Sequence, residues 1–181
     1  MVGTTARHAL VLGGARSGKT GRAQGWAEAL GRARLYLATG QAFDAEMAER
    51  IARHRAERGE GWSTLEEPLD LPAALASACA APGAPDVLLV DCLTLWLSNL
   101  MHHGRDPEAE TAALLAALAG ASRPVILVSN ELGLGLVPET PLGRAFRDAQ
   151  GRLNQAVAAA VPDVVFVAAG LPLVLKGARP A

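Results

Sequence analysis

A run of four apolar residues, Ala9–Leu12, passes directly into Gly13-Gly14-Ala15-Arg16-Ser17-Gly18-Lys19-Thr20. Two glycines bracket four residues, and Lys and Thr follow, which is the pattern of a phosphate-binding loop. Such a loop constrains what flanks it. A strand has to deliver the chain to Gly13, and a helix has to begin at or just before Thr20, because its N-terminus and the backbone N–H groups of Gly14 through Lys19 hold the anion. The chain has only two lysines, Lys19 and Lys176, against fifteen arginines. One of the two stands where phosphate chemistry needs it. A compact ammonium reaches between β- and γ-phosphate oxygens, whereas a planar guanidinium is too wide for the cradle. Thr20 is expected to place its hydroxyl on Mg²⁺.

The remaining sequence repeats the same alternation. Short apolar runs lie at Ala9–Leu12, Leu35–Ala38, Val87–Val90, Val125–Val128 and Val164–Ala168, with Leu173–Leu175 as a possible last strand. Most have no polar face, as expected of strands covered on both sides. Between them lie helix candidates near Lys19–Leu30, Phe43–Arg55, Pro72–Ala80, Pro107–Ala119 and Pro141–Ala160. Asp106-Pro107-Glu108 reads as an N-cap, a first-turn proline and an acid matched to the helix dipole. Ala81–Pro85 and Pro138–Pro141 read as turns. The predicted fold is a three-layer α/β domain with a mostly parallel central sheet. With 181 residues and 50% apolar content there is material for one large core. Residues 8–181 are read as one catalytic domain and Met1–Arg7 as a flexible tail.

Charge narrows the partners. A net charge of −1 and a pI of about 6.4 give no global attraction to nucleic acid or to a membrane surface. The basic residues are spread along the chain apart from Arg50, Arg53, Arg55 and Arg58. Cys79 and Cys92 have neither metal-ligand nor C-x-x-C spacing and are expected as free, buried thiols in a reducing compartment. No signal peptide and no charge-free apolar stretch of membrane-spanning length is visible, so a cytoplasmic protein is expected.

In a parallel sheet the ligand sits at the carboxyl ends of the strands. Residues just past the runs are the loop from Gly13, Thr39-Gly40-Gln41, Asp91-Cys92, Ser129-Asn130-Glu131 and Gly170. Asp91 ends its run as a Walker B acid does, in position to hold Mg²⁺ directly or through water. His54 is less plain. On a helix over Phe43–Arg55 it falls within about 20° of Phe43 and Met47, on the apolar face. A histidine there is by default a satisfied boundary side chain. Arg50, Arg55 and Arg58 nearby open a second reading, in which a neutral imidazole attacks phosphorus. Glu66 and Glu131 read equally as ribose, base or metal contacts, or as solvated acids. His102-His103 reads as surface loop, and Arg144–Asp148 as an i,i+4 ion pair.

Together these segments resemble the bifunctional adenosylcobinamide kinase/adenosylcobinamide-phosphate guanylyltransferase family of cobalamin biosynthesis. The resemblance rests on Gly13–Lys19, Tyr36-Leu37-Ala38-Thr39, Asp44-Ala45-Glu46-Met47 with Arg50, Ile51 and His54, and Trp62-Ser63-Thr64 with Glu66. It continues through Ser129–Gly133, Val137-Pro138-Glu139, Arg144 with Phe146-Arg147-Asp148, and Gly151–Gln155. The phosphate loop alone is generic, and the combination is specific. The resemblance implies a P-loop NTPase-type domain, GTP, ATP and Mg²⁺ as cofactors, adenosylcobinamide and its phosphate as substrates, and a homotrimer with sites near subunit interfaces. It implies a guanylylated histidine at the position of His54, with Lys19 as the second catalytic residue. Nucleotide contacts are implied for Gly13, Gly14, Ala15, Arg16, Ser17, Gly18, Lys19 and Thr20. They are implied further for Ala38, Thr39 and Gly40, for Arg55, Ala56, Glu57 and Arg58, and for Glu66 and Asp91. Gly40 departs from the usual Ser or Thr, and Arg53 stands where many members carry a second histidine.

Two rivals differ in chemistry. An ordinary P-loop small-molecule kinase needs no covalent histidine. A non-catalytic GTP switch is expected to carry Asn-Lys-x-Asp for guanine, and a chain whose lysines are Lys19 and Lys176 has none.

Overall fold

The computed structural model describes residues 7–41 and 59–177. The helix expected over Phe43–Arg55 lies outside them. Among the described residues the elements run β1 (Ala9–Gly13), α1 (Lys19–Leu30), β2 (Arg34–Ala38), β3 (Trp62–Glu66), α2 (Leu71–Ala80), β4 (Val87–Asp91), α3 (Leu93–His102), α4 (Pro107–Gly120), β5 (Val125–Asn130), α5 (Pro141–Ala160), β6 (Asp163–Ala168) and β7 (Leu171–Lys176).

One seven-stranded sheet has the order β3-β2-β4-β5-β1-β6-β7. All pairs are parallel except β6 with β7, which close antiparallel around Ala169-Gly170, both at positive φ. The apolar runs lack a polar face because both faces of the sheet are covered. Leu10, Leu12, Leu88, Val90, Val125 and Leu127 point to one side, against α2, α3, α4 and α5. Ala9, Val11, Leu89, Ile126, Val128, Val165 and Val167 point to the other, against Ala23 and Ala27 of α1. The result is the three-layer α/β architecture expected from sequence.

Helix ends follow local chemistry. Asp106 accepts from the Glu108 N–H at 3.0 Å, with Pro107 in the first turn, as its sequence predicts. Thr140 caps α5 by accepting from Gly143 N–H at 3.1 Å.

Two elements were not expected. Helix α3, LTLWLSNLMH, follows β4 with no turn residue between them and buries Leu93, Thr94, Trp96, Leu97, Asn99 and Leu100. A helix buried this fully shows no polar stripe from which to read its period. Strand β3 is an edge strand with partly exposed residues and no apolar run. His102 ends α3 and His103 caps it in the turn with Gly104, both exposed, which agrees with a surface role and corrects the loop expectation for His102 alone. Arg7, read as part of the tail, donates to the buried carboxylate of Asp163, with its Nη2 2.7 Å from Oδ1. Both cysteines are free; Cys92 is buried and Cys79 half-buried. No helix among the described residues is long and apolar enough to cross a membrane.

Candidate active site

The phosphate-binding loop leaves β1 at Gly13 and enters α1 at Lys19. Gly13 is there because nothing larger fits: an added Cβ would lie 2.5 Å from Ser17 Oγ and 2.6 Å from the Val167 carbonyl oxygen. Gly18 turns the chain at φ 91°, where glycine alone is unstrained, and an added Cβ would come within 3.3 Å of Gly170 Cα. Arg16 is also left-handed, at φ 56°, a position few non-glycine residues adopt. The loop is braced from outside. Gly170 N–H donates to the Ser17 carbonyl at 2.8 Å, and Glu131 N–H donates to the Gly13 carbonyl at 3.2 Å. Lys19 Nζ donates to the Gly14 carbonyl at 3.0 Å, which holds the ammonium over the loop.

Ser17 supplies a test of what this cradle holds. Its hydroxyl is buried and has no hydrogen-bond partner among the described residues. A buried hydroxyl left unpaired costs about 1–3 kcal/mol, and a phosphate oxygen in the loop would satisfy it. The residues fit nucleotide phosphates.

The other predicted residues arrange themselves along the carboxyl rim. Ala38 is level with both Asp91 and Glu66, and Gly13 is level with Asn130. At about 4.8 Å per strand, Asp91 lies roughly 10 Å and Glu66 roughly 19 Å across the sheet from Gly13. Glu66 therefore lies at the far end of the rim from the phosphate loop. Tyr36 Oη donates to Asp91 Oδ2 at 2.7 Å and fixes that carboxylate. Alternation along β4 puts Asp91 with Leu89 on the face covered by α1, the face on which Lys19 and Thr20 open the helix. Thr20 and Asp91 are hard oxygen donors, suited to a Mg²⁺ that keeps water and phosphate oxygens as its other ligands.

Thr39 is a structural post. It is fully buried, its hydroxyl donates to the Cys92 carbonyl at 2.7 Å, and it accepts from Cys92 N–H at 2.9 Å. Asn99 Nδ2 donates to the Thr39 carbonyl at 2.8 Å and to the Pro68 carbonyl at 3.0 Å, tying β2 to the segment after β3. Burial, and next the charge of Asp91, push the Cys92 thiol up to about 11, so it stays protonated. Gly40 continues the rim. His54, Arg55, Ala56, Glu57 and Arg58 lie outside the described residues.

Arg144 does not pair with Asp148. Its guanidinium donates instead to the carbonyls of Pro138 at 3.1 Å and Glu139 at 2.7 Å, while Arg147 donates to Leu136 at 3.2 Å. The unpaired carbonyls of an irregular loop are stronger claimants for these planar donors than an acid one turn away in water. They hold a loop that carries Leu134, Leu136 and Val137 into solvent.

The sequence reading also missed a buried polar cluster behind the rim. Ser129, Gln150 and Asn154 are joined by hydrogen bonds of 2.7–3.0 Å. Asn154 Nδ2 donates to the Asn130 carbonyl at 3.0 Å, and Asn130 N–H donates to Thr94 Oγ1 at 2.9 Å. A signal existed: Gln150 and Asn154 stand four apart on the stripe of α5 that otherwise buries Ala149, Leu153 and Val157.

Comparison with known proteins places this geometry. Residues 9–175 match the family described as cobinamide kinase / cobinamide phosphate guanyltransferase. Over 171 residues the chain is 51% identical to the bifunctional adenosylcobalamin biosynthesis protein CobP of Pseudomonas aeruginosa, covering 93% of this chain and 96% of that protein. It is 39% identical over 182 residues to the bifunctional adenosylcobalamin biosynthesis protein CobU of Escherichia coli, with 92% and 98% covered. Among solved structures, the RadB recombinase is similar at a TM-score of 0.54 and 14% identity, over 97% of this chain and 83% of that one. A KaiC-like protein of Pyrococcus horikoshii gives 0.52 and 14%, over 88% and 70%. These two likenesses concern the fold alone.

Proposed function

The chain belongs to the cobinamide kinase / cobinamide phosphate guanyltransferase family, and from that premise we propose that it carries out both reactions on adenosylcobinamide. In the first, the aminopropanol hydroxyl attacks the γ-phosphorus of a nucleoside triphosphate. The bond to the β,γ-bridging oxygen breaks, the nucleoside diphosphate leaves, and the hydroxyl proton is lost. In the second, the imidazole of His54 attacks the α-phosphorus of GTP and expels pyrophosphate. The phosphate of adenosylcobinamide phosphate then displaces His54 from the bound GMP, giving adenosylcobinamide-GDP. Covalent capture splits one displacement into two in-line steps.

The observation that carries this reading is the cradle, with its buried Ser17 hydroxyl, unpartnered among the described residues, and Lys19 held over the loop. Backbone N–H groups and the α1 N-terminus stabilise phosphate charge, and Lys19 spans two phosphates. Mg²⁺, held by Thr20 and by Asp91 directly or through water, supplies charge neutralisation on the phosphate oxygens when bound. Tyr36 holds Oδ2 of Asp91, which leaves Oδ1 as the oxygen that would serve the metal. Glu66 and the Ala38–Gly40 rim support the nucleoside end, and Arg55, Ala56, Glu57 and Arg58 follow the nucleophile in sequence.

Incubation with α-labelled GTP and Mg²⁺ is expected to leave an acid-labile, base-stable label on the protein, and His54→Ala to abolish it. A label that persists in the variant moves the nucleophile elsewhere. No label in the wild type would favour an ordinary P-loop kinase.

The homotrimer also belongs to this proposal. Edge strand β7 exposes Leu171, Leu173 and Leu175 in alternation, a row that favours cover by another chain. Light scattering is expected to report three copies; a monomer would remove this part. The free thiols of Cys79 and Cys92 are in keeping with the reducing cytoplasm.

A further inference from the structure

The buried cluster behind β5 has a definite direction. The Asn130 carbonyl needs a donor, so Asn154 must present Nδ2 to it and Oδ1 to the other side. Oδ1 then accepts from Ser129 Oγ at 2.7 Å and from Gln150 Nε2 at 3.0 Å, while Gln150 Nε2 also donates to Ser129 Oγ at 2.9 Å. Of the cluster's polar atoms, Gln150 Oε1 is buried without a partner among the described residues. Three hydrogen bonds thus fix the backbone at Asn130: its N–H to Thr94, its carbonyl from Asn154, and the next N–H to Gly13.

So much anchoring serves a residue whose own side-chain amide has no hydrogen-bond partner among the described residues. Its placement is specific. Strand β5 lies between β1, which delivers the phosphate loop, and β4, which delivers Asp91. Asn130 is level with Gly13, and Val128, two residues earlier, is level with Asp91. Ser129 faces α5, so alternation sends Asn130 to the opposite face with Val128, the face of α1, Lys19 and Asp91.

We propose that the side-chain amide of Asn130 donates a hydrogen bond to the γ-phosphoryl group of the bound nucleotide, as a catalytic residue of phosphoryl transfer, with Asn154 and Gln150 as its positioning residues. Charge on the transferring group spreads over three equatorial oxygens, and a neutral donor already fixed beside them stabilises it without moving. Lys19 would approach the phosphates from the start of α1 and Asn130 from the end of β5. The inference rests on the nucleotide site proposed above, and its first test needs no corrinoid.

Calorimetry would compare ATP and ADP affinities in the wild type and in Asn130→Ala. A lost hydrogen bond to a charged group should lower the ATP/ADP affinity ratio by roughly tenfold or more and leave ADP binding unchanged. Asn130→Asp, of the same shape but opposed in charge, should lower it further. An unchanged ratio in Asn130→Ala, or a wild-type ratio in Asn130→Asp, would overturn the proposal. With adenosylcobinamide as acceptor, Asn130→Ala should reduce kcat by at least about tenfold with little change in KM for ATP. A wild type that binds ATP with the expected ratio but phosphorylates no corrinoid would defeat the proposed function and leave Asn130 in place. Asn154→Ala should lower the ATP/ADP ratio less than Asn130→Ala and add nothing in the double variant. Simple additivity would show that Asn154 does not act through Asn130.

Discussion

The two faces of the sheet are built for different ends. One is thick: α2, α3, α4 and α5 lay leucines and Trp96 over Leu10, Leu88, Val90 and Leu127. The other, among the described residues, carries α1, packed through Ala23 and Ala27, with Leu95 of α3 also against it. Small residues bring α1 close, so that its N-terminus stands at the end of β1. The thick face provides most of the burial among the described residues. Asp91, Asn130, Lys19 and the Tyr36 hydroxyl all belong to the thin side. The main core and the proposed chemistry lie on opposite sides of the same strands, one residue apart along the chain.

If that division is real, damage to one side should leave the other intact. Trp96 is fully buried on the thick side, and its Nε1 donates to the Leu69 carbonyl at 2.9 Å. Trp96→Ala should lose about 3–5 kcal/mol in urea unfolding. The folded fraction should keep its affinity for nucleotide. Affinity that falls in step with stability would show that the faces are coupled.

A smaller effect sharpens the same contrast. His8 precedes β1 in register with Leu10, beside Leu115 and Leu118 of α4. Burial holds its pKa below the ordinary value, opposed by a hydrogen bond to the Leu118 backbone. Nδ1 accepts from Val125 N–H at 3.2 Å, so the neutral ring is the one that fits. The unfolded chain takes up a proton that the folded chain refuses. Stability contributed by His8 is therefore present above the ordinary pKa of about 6.5 and declines as pH falls below it. His8→Gln should flatten the melting temperature against pH between about pH 7 and 5, by a few degrees in Tm. A curve equally steep in the variant would place the dependence elsewhere.

Much of this was legible in the chain. The Gly13–Thr20 spacing specified strand, turn and helix, since each glycine answers a local need: no room for a side chain at Gly13 and a left-handed turn at Gly18. The ends of α1 and α5 and the Asp106 cap agree with expectation because their signals are local. Helix α3 and strand β3 were not legible. One is too buried to show a polar face and the other too exposed to show an apolar run. The Arg144–Asp148 spacing suits an ion pair, but nearby loop carbonyls took the donor instead.

The sequence by itself determined that a phosphate cradle follows the first strand, that a parallel sheet carries it, and that Asp91 ends a strand at the same rim. Each of these follows from neighbours in the chain, where spacing dictates geometry. Only the tertiary structure decided that β5 comes between β1 and β4, and so put Asn130 beside Gly13. It also decided that the Thr39 hydroxyl is bonded to the Cys92 backbone, and that Gln150 and Asn154 reach back from α5 to fix the rim. Strand order and hydrogen bonds between residues far apart in sequence are settled by which buried polar groups find partners once the two faces have packed, and no local spacing encodes that.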